Sequence, residues 1–221
     1  IRLRIPLEGQ IKFKDIIYGD IKTDCKELDD FIIARSDGSP TYNFTVVVDD
    51  NNMGINCVIR GEDHISNTPK QILIYSALHL PVPDFAHLPM ILGADKKRLS
   101  KRHGAAGVEH FKNQGYSVDA LLNYIAMLGW NSGTEDELFS IEDLISKFDI
   151  NKVQKKGAVY DEKKLHWVAG QHMIQKPEIN ILDEIREDDP DWQKHSKDNY
   201  IYRVLQLMKI RASTLNELKE A

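Results

Sequence analysis

Residues 57–78 set the tightest limit on how this 221-residue chain can fold. Cys57-Val58-Ile59-Arg60 reads as a strand that runs directly into the polar group Gly61-Glu62-Asp63-His64. Thr68-Pro69-Lys70-Gln71 then carries the signs of a helix start. Thr68 suits a cap, Pro69 the first helical position, and Gln71 the third residue of a capping box. Leu73, Ile74, Ala77 and Leu78 supply the apolar stripe that such a helix needs. Strand, polar loop and helix in that order make half of a parallel α/β sheet, in which ligands bind outside the carboxyl ends of the strands. Arg60, Glu62, Asp63 and His64 stand at that end. A guanidinium placed there either holds an anionic ligand or pairs with Glu62 or Asp63. A lone histidine after a strand is equally consistent with a structural role.

The flanking segments extend the pattern. Leu3, Ile5 and Leu7 alternate with polar residues, Glu8-Gly9 turns, and Ile11 and Phe13 alternate again, so two paired strands are expected. Phe31-Ile32-Ile33 predicts a further short strand before the tight reversal favoured by Asp37-Gly38. Thr41 to Asp50 is apolar and β-branched, and spacing leaves a buried strand and a buried helix both open. Further on, Ser117, Ser140 with Asp143, and Asp161 predict helix starts. Val118, Leu121, Leu122, Ile125 and Leu128 are expected on one apolar face, closed by Gly129. Leu165, Trp167 and Val168 are expected in a core, and further stripes follow at Ile181–Ile185 and Ile201–Met208.

A basic run lies between these halves. Asp95 to Arg102 holds five Lys or Arg residues and one Asp, in a chain whose net charge is −5. Gly93 precedes it and Gly104 and Gly107 follow, so its backbone can approach a ligand closely. Cationic donors on such a loop suit the oxygens of a polyphosphate or a nucleic-acid backbone, although a solvated charged turn has the same composition. The pI near 5.9 argues against indiscriminate nucleic-acid binding. Cys25 and Cys57 form no Cys-x-x-Cys pattern, so no zinc site is expected and a reducing cytoplasm is. No apolar run reaches the roughly 18 residues of a membrane span.

Arg98-Leu99-Ser100-Lys101-Arg102 resembles the KMSKS signature of class I aminoacyl-tRNA synthetases in its glutamyl form, with Arg98 in place of the usual Lys. Asp37-Gly38-Ser39-Pro40-Thr41-Tyr42-Asn43-Phe44, then Val58 to His64, then Asn67 to Gln71, resemble successive blocks of bacterial glutamyl-tRNA synthetases. The family's other signature, His-x-Gly-His, does not occur in the 221 residues. With no starting Met and an opening inside a β-ribbon, the expectation is a fragment without the N-terminal half of the catalytic domain, inactive by itself.

The resemblance implies an α/β fold: the second half of a Rossmann-type domain with the end of an inserted β-containing domain, followed by mostly helical segments. It assigns residues 1–43 to the end of the acceptor-binding domain and 44–80 to the Rossmann half. Residues 81–176 become a stem-contact domain that carries the basic loop, and 177–221 the start of an anticodon-binding region. It further implies that Tyr42, Arg60 and His64 line a glutamate pocket, where a planar guanidinium can grip a carboxylate with two parallel hydrogen bonds. Val46 stands where some members carry a polar contact. Arg98, Leu99, Ser100, Lys101 and Arg102 would meet ATP, with Lys101 catalytic and Mg²⁺ accompanying the nucleotide. The implied partners are glutamate, ATP and glutamate tRNA, for a cytoplasmic monomer. Glutaminyl-tRNA synthetase, the shortened paralogue that modifies a tRNA base, and a non-catalytic tRNA-binding module are the alternatives.

Overall fold

A computed structural model describes residues 1–99, 107–188 and 198–220 of the chain. It divides into two compact units, residues 1–90 with 150–156, and residues 91–149 with 157–221.

The first unit is built on a four-stranded sheet whose strands lie in the order Gly19–Asp24, Gln10–Asp15, Asp84–Leu88 and Cys57–Gly61. Strands β2 (Gln10–Asp15) and β3 (Gly19–Asp24) form an antiparallel hairpin, with Ile11 opposite Thr23 and Phe13 opposite Ile21. Strand β5 (Cys57–Gly61) is joined through helix α2 (Thr68–Ala77) to β6 (Asp84–Leu88), which runs parallel to it. This is the strand–loop–helix unit that residues 57–78 predict. β2 meets β6 in parallel where Asp15 faces Phe85. The short strand β1 (Arg2–Leu3) pairs with β4 (Phe31–Ile32), not with β2 as the alternation suggests. Ile5 does enter a core with Ile11 and Cys25, whereas Leu7 is exposed and closes no face.

Helix α1 (Tyr42–Asn52) resolves the ambiguity of residues 41–50 in favour of helix. Its Val47 packs with Ile74 and Tyr75 of α2, so a helical face, rather than β-branching, decides the segment. Thr68 does not cap α2, since Asn67 holds that position without a side-chain cap bond. The expected capping box is absent because both of its side chains are engaged elsewhere, as described below.

The second unit is mainly helical. Strands β7 (Ile91–Leu92) and β8 (Ala158–Val159) pair in parallel, and a turn through Gly93 and Lys96 returns Arg98 to bridge Leu92. Helices α3 (Val108–Asn113), α4 (Val118–Met127), α5 (Ile141–Lys147) and α6 (Glu162–Gln175) follow. α7 (Glu178–Asp188), α8 (Asp198–Met208) and α9 (Leu215–Glu220) complete the unit. Ser117 and Asp161 cap their helices, and Ser140 with Asp143 forms a full capping box, as predicted. Gly129 ends α4 region with a positive φ of 108°.

The faces differ from expectation in two places. On α4 the buried residues are Ala120, Leu121, Asn123 and Tyr124, while Val118 is 71% exposed. Leu121 and Tyr124 pack on Leu165 and Val168 of α6, which selects a face containing an aromatic and an amide over the purely aliphatic stripe. Leu165 and Val168 are fully buried, but Trp167 is 42% exposed, with the Lys164 ammonium 4.1 Å from its ring centroid. At helical spacing Trp167 stands two residues from Leu165 and so points away from it. Met173, Ile181, Leu182, Ile185, Ile201 and Leu205 make a second core among α6, α7 and α8.

Candidate active site

The carboxyl ends of β5 and β6 carry the polar centre of the first unit. Arg60, the penultimate residue of β5, points its guanidinium along the top of the sheet toward α2 and β6. Its Nε donates to His87 Nε2 at 3.2 Å, and its Nη2 donates to Thr68 Oγ1 and Gln71 Oε1, each at 2.8 Å. The Phe85 ring lies beneath, 5.7 Å from Cζ. Gln71 is held in turn, because its amide nitrogen donates to Asn43 Oδ1 on α1 at 3.1 Å. Thr68 donates its own proton to the His64 carbonyl. Thr68 and Gln71, read as capping residues, are therefore acceptors for Arg60.

Among the described residues, the hydrogen-bond partners of Arg60 are thus neutral. The alternative pairing with Glu62 is not made. Glu62 instead accepts the Met90 amide at 2.9 Å and the Tyr18 hydroxyl. Burial pulls the Arg60 pKa below the ordinary guanidinium value, and Tyr42, Asp50 and Tyr75 oppose that shift. Asp50 is itself raised by burial, with Arg60 opposing. A guanidinium never loses its proton in this range, so the site keeps a half-buried positive charge, which the charge of Asp50 favours.

Tyr42, at the start of α1, is 52% exposed, and its hydroxyl lies 3.3 Å from His64 Nδ1. Asn67 Nδ2 reaches the same nitrogen at 3.3 Å. Tyr42 thus adjoins both His64 and the Arg60 guanidinium. Nε and Nη2 of Arg60 are held by His87, Thr68 and Gln71, and Tyr42 makes a further side-chain hydrogen bond with the guanidinium. Arg98 and Leu99 belong to the second unit, where the Leu99 amide donates to the Ile91 carbonyl at 2.8 Å. Ser100, Lys101 and Arg102 lie outside the described residues.

Two residues that sequence reasoning passed over complete the centre. Asp15 and His87 are both fully buried, and His87 Nδ1 lies 2.6 Å from Asp15 Oδ2. The carboxylate of Asp15 also accepts from the amides of Ile17 at 2.9 Å, Tyr18 at 2.8 Å and His87 at 3.2 Å. Arg60 can only donate, so His87 Nε2 must be the bare nitrogen and Nδ1 must carry the proton. Burial lowers the His87 pKa below its usual value, against the pull of Asp15, and Arg60 and His64 add to the lowering. The contacts of both ring nitrogens and the direction of the pKa shift favour a neutral imidazole with its proton on Nδ1. The available signal was Asp15 itself, an acid on the same strand face as Ile11 and Phe13.

Residues 1–167 match the family described as class I tRNA synthetases (E and Q), catalytic domain. The chain belongs to that family. Over its whole length it is 45% identical to glutamate–tRNA ligase 1 of Syntrophomonas wolfei, and covers 45% of that protein. It is 47% identical over 99% of its length to the glutamate–tRNA ligase of Aquifex aeolicus, covering 47% of it. A crystal structure of a glutamate tRNA ligase from Elizabethkingia meningosepticum, in complex with its amino acid, superposes with a TM-score of 0.88 at 31% identity. That match covers 99% of this chain and 47% of the other. The chain spans about half the length of the relatives it matches. The mixed sheet and helices of residues 1–167 are the catalytic-domain fold of this synthetase family. Among the described residues no group of three or more His, Cys, Asp or Glu is placed to hold a metal, and no helix is long and apolar enough to cross a membrane.

Proposed function

We propose that this chain is part of a glutamate–tRNA ligase. The enzyme joins glutamate to ATP as glutamyl adenylate, then transfers the glutamyl group to the 3′-terminal ribose of glutamate tRNA. The observation that carries the reading is Arg60, a half-buried cation fixed by neutral acceptors at the carboxyl end of a parallel strand. A substrate carboxylate binds at this guanidinium, beside the Tyr42 hydroxyl. Tyr42 adds a hydroxyl donor, and His64 orients that hydroxyl.

In the first step a glutamate carboxylate oxygen attacks the α-phosphorus of ATP, which enters as its Mg²⁺ complex. The new P–O bond forms as the bond to pyrophosphate breaks, and negative charge grows on the departing phosphates. Lys101 stabilises that charge more than it stabilises bound ATP, which is how a positioned cation lowers a barrier. Arg98, Leu99, Ser100 and Arg102 complete the nucleotide loop. Residues 1–43, 81–176 and 177–221 face the acceptor end, the stem and the anticodon side of the tRNA. The protein works in the cytoplasm as a monomer.

The test is glutamate-dependent pyrophosphate exchange by the intact protein with tRNA present. Lys101→Ala is expected to slow adenylate formation by 10²–10³, the equivalent of about 2.7–4 kcal/mol for one charged donor. It should leave glutamate affinity nearly unchanged. A rate within a factor of a few of the parent would remove Lys101 from the chemistry.

A further inference from the structure

The buried pair Asp15 and His87 does more than join two strands. We infer that Asp15 and His87 are positioning residues that aim Arg60 at the substrate carboxylate by holding one imidazole tautomer. The inference rests on the reading of Arg60 as the carboxylate-binding residue, and it extends the site to residues that never touch substrate.

The argument runs inward from the guanidinium. A long side chain at a strand end has several rotamers, and the guanidinium keeps one aim only if Nε and Nη2 are held. Thr68 and Gln71 hold Nη2, and His87 Nε2, which also lies 3.2 Å from Thr68 Oγ1, takes Nε. That nitrogen accepts only while the proton sits on Nδ1, because an imidazole with its proton on Nε2 would set one N–H against another. The choice of nitrogen is made by Asp15, whose Oδ2 lies 2.6 Å from Nδ1. Asp15 is itself immobilised by the amides of Ile17 and Tyr18 in the β2–β3 turn and by the His87 amide. The chain of dependence is backbone turn, carboxylate, imidazole, guanidinium, substrate.

A strand-joining role for the pair predicts something different. It would need only the hydrogen bond between β2 and β6, which already keeps the proton on Nδ1, so it predicts the same tautomer but no change in the glutamate KM of folded variants. A positioning role requires a bare nitrogen facing Arg60.

Asp15→Asn separates the two. The new amide can still accept from Ile17 and Tyr18 through its oxygen, which turns its NH₂ toward His87 Nδ1. His87 must then move its proton to Nε2, and a donor faces Arg60 Nε–H. His87→Leu removes the acceptor outright, whereas His87→Gln can place an amide oxygen where Nε2 stood.

The experiment combines spectroscopy and kinetics on the intact protein. In the parent, ¹⁵N shifts of His87 at pH 7 should show a protonated Nδ1 and a bare Nε2; an imidazolium or the opposite tautomer would overturn the inference without any variant. In pyrophosphate exchange with tRNA present, Asp15→Asn and His87→Leu should raise the glutamate KM at least tenfold and leave the ATP KM within twofold. His87→Gln should recover at least half of the loss seen in His87→Leu. Arg60→Ala serves as the reference. If it raises the glutamate KM while Asp15→Asn and His87→Leu, folded by circular dichroism, do not, the pocket reading stands and the positioning role is wrong. If Arg60→Ala itself leaves the glutamate KM unchanged, the pocket reading has failed, and the positioning role falls with it.

Discussion

Asn123 offers the sharpest test of how the second unit is held together. It is fully buried in the middle of α4, on a helix otherwise read as apolar. Its Oδ1 accepts from the Phe139 amide at 3.0 Å and from His172 Nε2 on α6 at 2.9 Å. Its Nδ2 donates to the Glu137 carbonyl at 3.1 Å. One amide therefore ties α4, α6 and the segment leading into α5. Asn123→Ala leaves three polar groups without their partner, and their fates differ. The Glu137 residue is exposed, so its carbonyl regains water at little cost. Phe139 is buried, and an orphaned buried amide costs about 1–3 kcal/mol. His172 is half-buried and recovers part of its loss. The sum is about 2–4 kcal/mol. For a unit of this size that corresponds to a Tm fall of about 6–15 °C, which differential scanning calorimetry resolves. Asn123→Asp keeps the acceptor for Phe139 and His172 but turns an oxygen toward the Glu137 carbonyl, so it should fall between the parent and Asn123→Ala. A loss below about 0.5 kcal/mol in Asn123→Ala, the scale of an ordinary surface change, would show that the amide is not the staple.

Two other outcomes follow from the same geometry. Burial holds His87 and His172 below their ordinary pKa of 6.5, so the unfolded chain binds protons that the folded chain refuses. Stability should therefore drop as pH falls below 6.5, by up to about 1.4 kcal/mol per pH unit for each histidine, until the folded imidazoles also titrate. Urea midpoints measured from pH 7.5 to 5 check this, and a flat or rising profile would contradict it. Tyr18→Phe removes the hydroxyl whose single proton is shared between Glu62 and the Lys155 carbonyl, the latter 3.0 Å away. Residues 150–156 should then open more often, by about 1–2 kcal/mol or 5–30-fold, and trypsin should cut after Lys155 and Lys156 faster by that factor. Equal cleavage rates would mean that the Lys155 ammonium bond to the Tyr18 carbonyl suffices by itself.

Much of the local order was written in short patterns. Cap residues at Ser117, Ser140 and Asp161 bond to amides within a few positions, and such contacts depend on little else. The strand at Cys57, the helix at Pro69 and the polar group at the strand end were legible for the same reason. The cluster of Tyr42, Arg60 and His64 was legible through the resemblance of its blocks, because each residue sits in a recognisable run.

What the sequence could not decide was which long-range partner each side chain would take. Thr68 and Gln71 satisfy a capping box on paper, but a guanidinium eight and eleven positions back offers them charged hydrogen bonds, which are stronger than a cap. Residues 41–50 were undetermined until Val47 found Ile74 and Tyr75. The aliphatic stripe of α4 lost to a face bearing Tyr124 and Asn123, because burial is chosen by what α6 presents rather than by hydrophobicity alone. Asp15 and His87 lie 72 positions apart, and no period or motif connects them. Sequence by itself determined the class of fold, the helix ends and the family; tertiary structure alone decided which groups surround His87 and which acceptors Arg60 meets. The reason is physical: a capping bond is local, whereas a tautomer is set by whichever buried groups the folded chain brings within hydrogen-bond distance.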